Sequence, residues 1–204
     1  MNMSLDLAVI ESRWWEGGND SVQGLFELLA TIRRENPHAY HYEMFNNASS
    51  LSEIISRVRN NGSVRNLYIA AHGNRRSIFG AEGRGKNRIS REELAKMLGG
   101  HGRQLYGVYL STCFVGNKRT ARVLLDSSRI SWVAGYSEAV NWLKGASLDL
   151  YFWDAYCDTN ERGGPQKRIA RVAETVKREM LPLCTRLGFN IFIRDGEGNA
   201  APLL

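Results

Sequence analysis

Short apolar runs alternate along this chain with stretches whose apolar residues recur at helical spacing. Residues 5–15 (LDLAVIESRWW) form the first run, and Gly17-Gly18-Asn19-Asp20 breaks it. Val22, Leu25, Phe26, Leu28, Leu29 and Ile32 then keep helical spacing, with Asp20 or Ser21 as cap and Asn36-Pro37 as stop. Residues 38–45 read as a second strand. A second helix starts at Ser50 or Ser52, runs through Ile54, Ile55 and Val58, and closes at Asn60-Asn61-Gly62. The third strand covers 64–71. Ser90-x-x-Glu93 is a capping box that opens a helix through Leu94 and Met97 to Gly99-Gly100. Further on come a strand at 105–112, a helix at 118–127, a strand at 130–136, a Trp-rich helix at 139–156 and a charged loop at 158–166. A long amphipathic helix carrying Ile169, Val172, Val176 and Met180, and a last strand at 190–193, complete the chain.

Strands that alternate with helices predict an α/β fold, a three-layer α/β/α arrangement with a central, mostly parallel sheet of about six strands. At 204 residues the chain fits one domain, residues 1–204, with neither an internal repeat nor a linker. Hydrophobic residues make up 43% and charged residues 24%, and no apolar run approaches the ~20 residues of a membrane span. The first residues, MNMSLD, lack the basic and apolar regions of a secretory signal. Cys113, Cys157 and Cys184 are odd in number and irregularly spaced, which argues against a disulfide framework and fits a reducing, cytoplasmic setting. His38, His41 and His101 show no metal-ligand spacing, so no metal is expected.

Charge changes the picture in one region. Between Arg57 and Arg91 nine basic residues face one acidic residue, Glu82, although the net charge of the chain is only +6. A solvated surface is the ordinary meaning of such a run; an acidic substrate segment, a nucleic acid or an activating partner are the functional ones. No stacked-aromatic motif supports nucleic-acid reading, so a nucleic acid is not the expected partner. Within this region Gly80-x-x-x-x-Gly85-Lys86 matches a phosphate-binding loop, but Asn87 replaces the Ser or Thr and no strand directly precedes it. Residues 74–89 as a whole, polar and glycine-containing, read as a mobile segment and a candidate lid over a bound substrate.

The chemistry lies at two strand ends. The run 66–71 stops on His72-Gly73, and the run 105–112 stops on Cys113. Taken singly, a cysteine or histidine in such a place is more often structural. If the two strands are parallel neighbours, their carboxyl ends share one crevice, where open α/β sheets place their sites. An imidazole beside a thiol makes a nucleophile, and the backbone N–H groups of Gly73 and Cys113 are placed to serve as an oxyanion hole. Glycine at 73 then avoids crowding the substrate carbonyl.

Leu67-x-Ile69-Ala70-Ala71-His72-Gly73, then Ile89-Ser90-x-Glu92-Glu93-Leu94, then Val108-Tyr109-Leu110-Ser111-Thr112-Cys113-x-x-Gly116, resembles the caspase-like cysteine peptidases. The pattern is most similar to their prokaryotic CHAT-type branch and extends over about residues 5–155. The resemblance implies a caspase–haemoglobinase fold, a Cys–His dyad with Cys113 as nucleophile and His72 as general acid/base, Gly73 and Cys113 as oxyanion donors, no cofactor, and a protein or peptide substrate cut in prokaryotic defence or regulated proteolysis. A catalytically silent or partner-gated signalling module on the same fold is the alternative. Animal caspases carry Gly two residues after the cysteine and Gln two before it; here Gly116 is three after and Ser111 two before, so aspartate specificity is not implied. By position, the pocket for the residue before the scissile bond would draw on Arg13, Asp20, Ser111, Ser137 and Glu138, whose charges conflict.

Overall fold

A computed structural model describes residues 5–13, 20–81, 87–159 and 162–204. Its central sheet has seven strands. Five are parallel: β1 (Leu7–Ser12), β2 (His41–Phe45), β3 (Asn66–Ala70), β7 (Gly107–Ser111) and β8 (Trp132–Tyr136). β9 (Phe189–Arg194) pairs antiparallel with β8, and β10 (Ala200–Pro202) pairs antiparallel with β9, giving the order β10-β9-β8-β7-β3-β1-β2. The expectation of about six strands falls one short because β10 is three residues of Ala-Ala-Pro, too brief to show a period.

Side-chain alternation divides the sheet into two faces. Leu7, Val9, Tyr68, Tyr109, Trp132 and Tyr136 point to one core, under α1 (Gln23–Arg34), α5 (Trp142–Asp158) and α6 (Pro165–Leu187). Ala8, Ile10, Leu67, Ile69, Val108, Leu110 and Val133 point to the other, under α2 (Ala48–Asn60), α3 (Arg91–Gly99) and α4 (Lys118–Ser127). These strands are buried on both sides, which is why they read as continuous apolar runs.

Several boundaries differ from the sequence reading for identifiable reasons. β1 stops at Ser12, and Trp14 to Asn19, with the Gly17-Gly18 break, lie outside the described residues. At the start of helix α1 Ser21 Oγ accepts from the Gln23 N–H at 3.1 Å, as expected, and the Val22 N–H donates to the buried Glu11 carboxylate of β1 at 2.9 Å. Helix α2 is capped by Asn47, with Ser50 as its capping-box partner rather than its cap. The Ser90–Glu93 box at α3 is present as expected.

The larger difference concerns the described part of residues 74–89, where instead of an irregular loop the chain forms a small antiparallel meander of β4 (Gly73–Asn74), β5 (Ser77–Phe79) and β6 (Arg88–Ser90). Its apolar residues Ile78 and Ile89 are buried against the α2–α3–α4 face, and Phe79, next to Ile78 in sequence, is also buried. These few apolar side chains are diluted among basic and polar residues, so composition hid them. Residues 82–86, including Gly85 and Lys86 of the phosphate-loop match, lie outside the described residues.

Candidate active site

The register of the central strands sets the site. Ala70 of β3 is paired with Ser111 of β7, so His72 and Cys113, each two residues further on, emerge at the same level of adjacent parallel strands. Both line one cavity of about 120 Å³, at the carboxyl ends of the strands. Cys113 is half-buried and His72 exposed. The Val140 N–H donates to Cys113 Sγ at 3.3 Å, which fixes the sulfur against the segment leading into α5.

The turn that follows Cys113 is tightly constrained. Val115 N–H donates to the Cys113 carbonyl at 2.9 Å, closing a three-residue turn around Phe114, whose φ of +65° is in the left-handed region. A bulky residue rarely adopts that conformation, and such strain concentrates at functional sites. Phe114 N–H is held by the Glu138 carbonyl at 3.1 Å, and Gly116 N–H by the Tyr136 carbonyl at 2.8 Å. A methyl group at Gly116 would overlap the backbone of Gly135 and Tyr136, so only glycine lets this turn lie against β8. Asn117, a residue the sequence reading passed over, ties three pieces together. Its Oδ1 caps α4 at Thr120 N–H (3.0 Å), and its Nδ2 donates to the carbonyls of Phe114 (2.8 Å) and Arg75 (3.1 Å).

Gly73 also has a packing reason that the sequence did not show. An added Cβ would sit 2.8 Å from Val115 Cγ2 and 2.9 Å from the Cys113 carbonyl oxygen, so glycine is needed for the hairpin to pack on the cysteine turn. The Phe79 N–H bond to the His72 carbonyl makes Gly73–Ile78 the next, non-hydrogen-bonded pair of the ladder. The Gly73 N–H is therefore directed out of the hairpin.

Of the five residues expected around the substrate side chain, one lines this cavity. Ser111 does; Arg13 is exposed at the end of β1. Asp20 reaches the rim through its backbone, its carbonyl accepting from Trp142 Nε1 at 3.0 Å. Ser137 donates its hydroxyl to the Gly188 carbonyl at 3.0 Å and lines a separate cavity, and the Glu138 side chain is exposed. The conflict of charges dissolves, because Arg13 and Glu138 do not line the cavity.

What the sequence reading missed is Asp149. It lies on α5, 2% exposed, and lines the cavity beside Ser111. Ser111 Oγ donates to its Oδ2 at 2.7 Å, and the hydroxyls of Tyr68, Tyr109 and Tyr136 also donate to the carboxylate. Burial pushes this carboxyl up from its ordinary range, and the four hydroxyls pull the other way. Burial, reinforced by the Asp149 charge, drives the three phenols upward, so they stay protonated donors. The signal was present: one aspartate in an otherwise apolar stretch, SLDLYFW, and three strands with an inward tyrosine. Val22, Val140, Trp142, Gly145 and Ala146 supply the apolar walls. Among the described residues no group of three His, Cys, Asp or Glu side chains is placed to hold a metal ion, and no helix is long and apolar enough to cross a membrane.

No protein-family model matches the chain, and no curated protein matches it in sequence. Solved structures do match in fold. A secreted C11 cysteine protease from Bacteroides thetaiotaomicron, called iotapain, aligns at a TM-score of 0.50 with 13% identity over 71% of this chain and 56% of its own. A secreted C11 protease from the same organism, in complex with an irreversible peptide inhibitor, aligns at 0.54 with 8% identity over 92% of this chain and 65% of that one. An inactive zymogen C11 protease from Parabacteroides distasonis aligns at 0.51 with 8% identity, covering 95% and 62%. This chain thus spans less than two thirds of those proteins' length. At such identities the likeness speaks for the backbone: the chain has the caspase-like fold shared by C11 cysteine proteases, and the CHAT-type branch is not among these neighbours.

Proposed function

We propose that this chain is a cysteine endopeptidase acting through an acyl-enzyme on Cys113. The observation that carries the reading is the register that brings His72 and Cys113 to one cavity at the ends of β3 and β7. His72 takes the thiol proton as Cys113 Sγ attacks the scissile carbonyl carbon. The Gly73 and Cys113 N–H groups receive the developing oxyanion. His72 then protonates the leaving amine, and a thioester remains. Water, deprotonated by His72, releases the acid and restores the thiol. The neighbour held with an irreversible peptide inhibitor supports a peptide as substrate. The role in prokaryotic defence or regulated proteolysis belongs to the same proposal and rests on the sequence resemblance.

The test is Cys113→Ala and, separately, His72→Ala, assayed against a fluorogenic peptide panel. Each abolishes cleavage while the thermal melt stays close to that of the wild type. A folded Cys113→Ala protein that cleaves as well as the wild type overturns the proposal. Selective alkylation of Cys113 by iodoacetamide near neutral pH, ahead of Cys157 and Cys184, is the accompanying expectation; three equally slow thiols favour a silent binding module instead.

A further inference from the structure

A second cavity, of about 250 Å³, adjoins the proposed site. Cys113 lines the first cavity and the next residue, Phe114, lines the second. Four arginines surround it, drawn from three places in the chain. Arg75 and Arg76 form the two-residue turn between β4 and β5, Arg91 is the first residue of α3, and Arg119 lies in the first turn of α4. Asn117 holds the hairpin tip in place through its bond to the Arg75 carbonyl, and Arg91 N–H holds it through the Arg76 carbonyl at 3.0 Å. The arginines are thus set on a fixed frame.

Their charges are poorly matched from within. Arg91 is only 5% exposed, yet just its Nε is engaged, by Glu92 at 3.0 Å, and its Nη groups have no hydrogen-bond partner among the described residues. Arg75, Arg76 and Arg119 have no ion pair among the described residues. Arg75, Arg76 and Arg119 are exposed, so four guanidinium groups with one carboxylate between them give the cavity an excess of positive charge open to a ligand. An anionic occupant offsets it.

We infer that this cavity binds acidic side chains of the polypeptide substrate close to the scissile bond. The inference rests on the peptidase reading. A chain lying over Cys113 must pass Phe114, and an extended peptide advances about 3.3 Å per residue, so a carboxylate within two or three residues of the cleaved bond reaches the arginines. Planar guanidinium groups bind carboxylates in two-point fashion, which suits four arginines to a run of Glu or Asp. This also gives a use to the basic stretch that the rest of the site leaves unexplained.

The experiment compares quenched fluorescent peptides of one core sequence carrying three Glu, or three Gln, on either side of the cleaved bond. On one side Glu is preferred over Gln by about tenfold in kcat/KM, the preference shrinks as salt is raised, and it collapses in Arg75→Gln/Arg76→Gln and in Arg119→Gln. In parallel, Cys113→Ala protein is titrated with the labelled Glu peptides by anisotropy, a readout independent of turnover. Binding of the Glu peptide that fails with the Gln peptide and in the arginine variants supports the cavity even if no peptide is cut, which would count against the peptidase reading alone. Equal cleavage and equal binding of Glu and Gln peptides overturns the inference and leaves the peptidase reading standing. A single-stranded oligonucleotide bound through the same arginines, with no Glu preference, also overturns it.

Discussion

Asp149 sits where an apolar side chain would pack most easily, and with Ser111 it lines the cavity. Ser111 Oγ turns its proton toward the carboxylate, so at this point oxygen lone pairs face the cavity. Among the described residues no lysine or arginine lines it. An acceptor-rich end built on Ser111 and Asp149 complements a side chain that only donates, lysine or arginine. A positional-scanning library is therefore expected to show Lys or Arg before the cleaved bond, and Asp149→Asn to lower kcat/KM for those substrates by about a hundredfold. A pocket that prefers Asp or an aliphatic residue would contradict this.

The same residue makes stability depend on pH. Its folded-state pKa is raised by burial, so the folded protein binds the proton more readily than the unfolded chain, and the contribution of Asp149 is fully present below the unfolded value and lost as pH rises through the folded one. Asparagine cannot titrate. The melting temperature of the wild type, measured relative to Asp149→Asn, should rise as pH falls through that folded-state value; a difference flat with pH would mean the carboxyl is not shifted.

At the scale of elements, the loop after Cys113 and the β4–β5 hairpin behave as one assembly riveted by Asn117. Removing that side chain in Asn117→Ala takes away an N-cap, worth about 1 kcal/mol, and leaves the carbonyls of Arg75 and Phe114 without their shared donor. The expected result is a modest fall in melting temperature with a larger fall in kcat than KM changes alone explain, since Phe114 sets the direction of Cys113. Fully retained kcat would show the turn to be self-supporting. What the sequence disclosed, and what it did not, follows the same lines. His72 and Cys113 were legible because doubly buried parallel strands announce themselves as apolar runs and end on polar chemistry. The hairpin was not, because Ile78, Phe79 and Ile89 are scattered among arginines. Asn117 and Asp149 were not, because each joins elements that are distant in sequence, as Arg75 is for Asn117 and Tyr68 is for Asp149.

At the scale of the molecule, the sheet ends differently on its two sides. β2 closes one edge with a partly exposed strand that carries the hydrogen-bonded His41 and Glu43. On the other side β9, with the apolar sequence FNIFI, is covered by β10, and Leu203 N–H continues the contact to the Ile191 carbonyl at 2.8 Å. An apolar strand with unpaired backbone groups invites pairing with another chain. A variant ending at Asp195 should melt earlier and scatter light on standing at concentrations where the full chain stays clear; an unchanged melt would show β10 to be dispensable.

The tyrosine–aspartate cluster has a consequence for how such a protein changes over generations. The carboxylate expected to set the side-chain preference is held by residues that also tie β3, β7, β8 and α5 together. Replacing Asp149 alone takes the shared acceptor from four hydroxyls, of which that of Tyr136 keeps the Gly145 carbonyl as a partner, and replacing one tyrosine alone strands part of a carboxylate. A lineage leaving this specificity would have to alter several of these positions nearly together, so drift in the pocket walls, at Val22 or Ala146, is the open route and inversion of its charge the closed one.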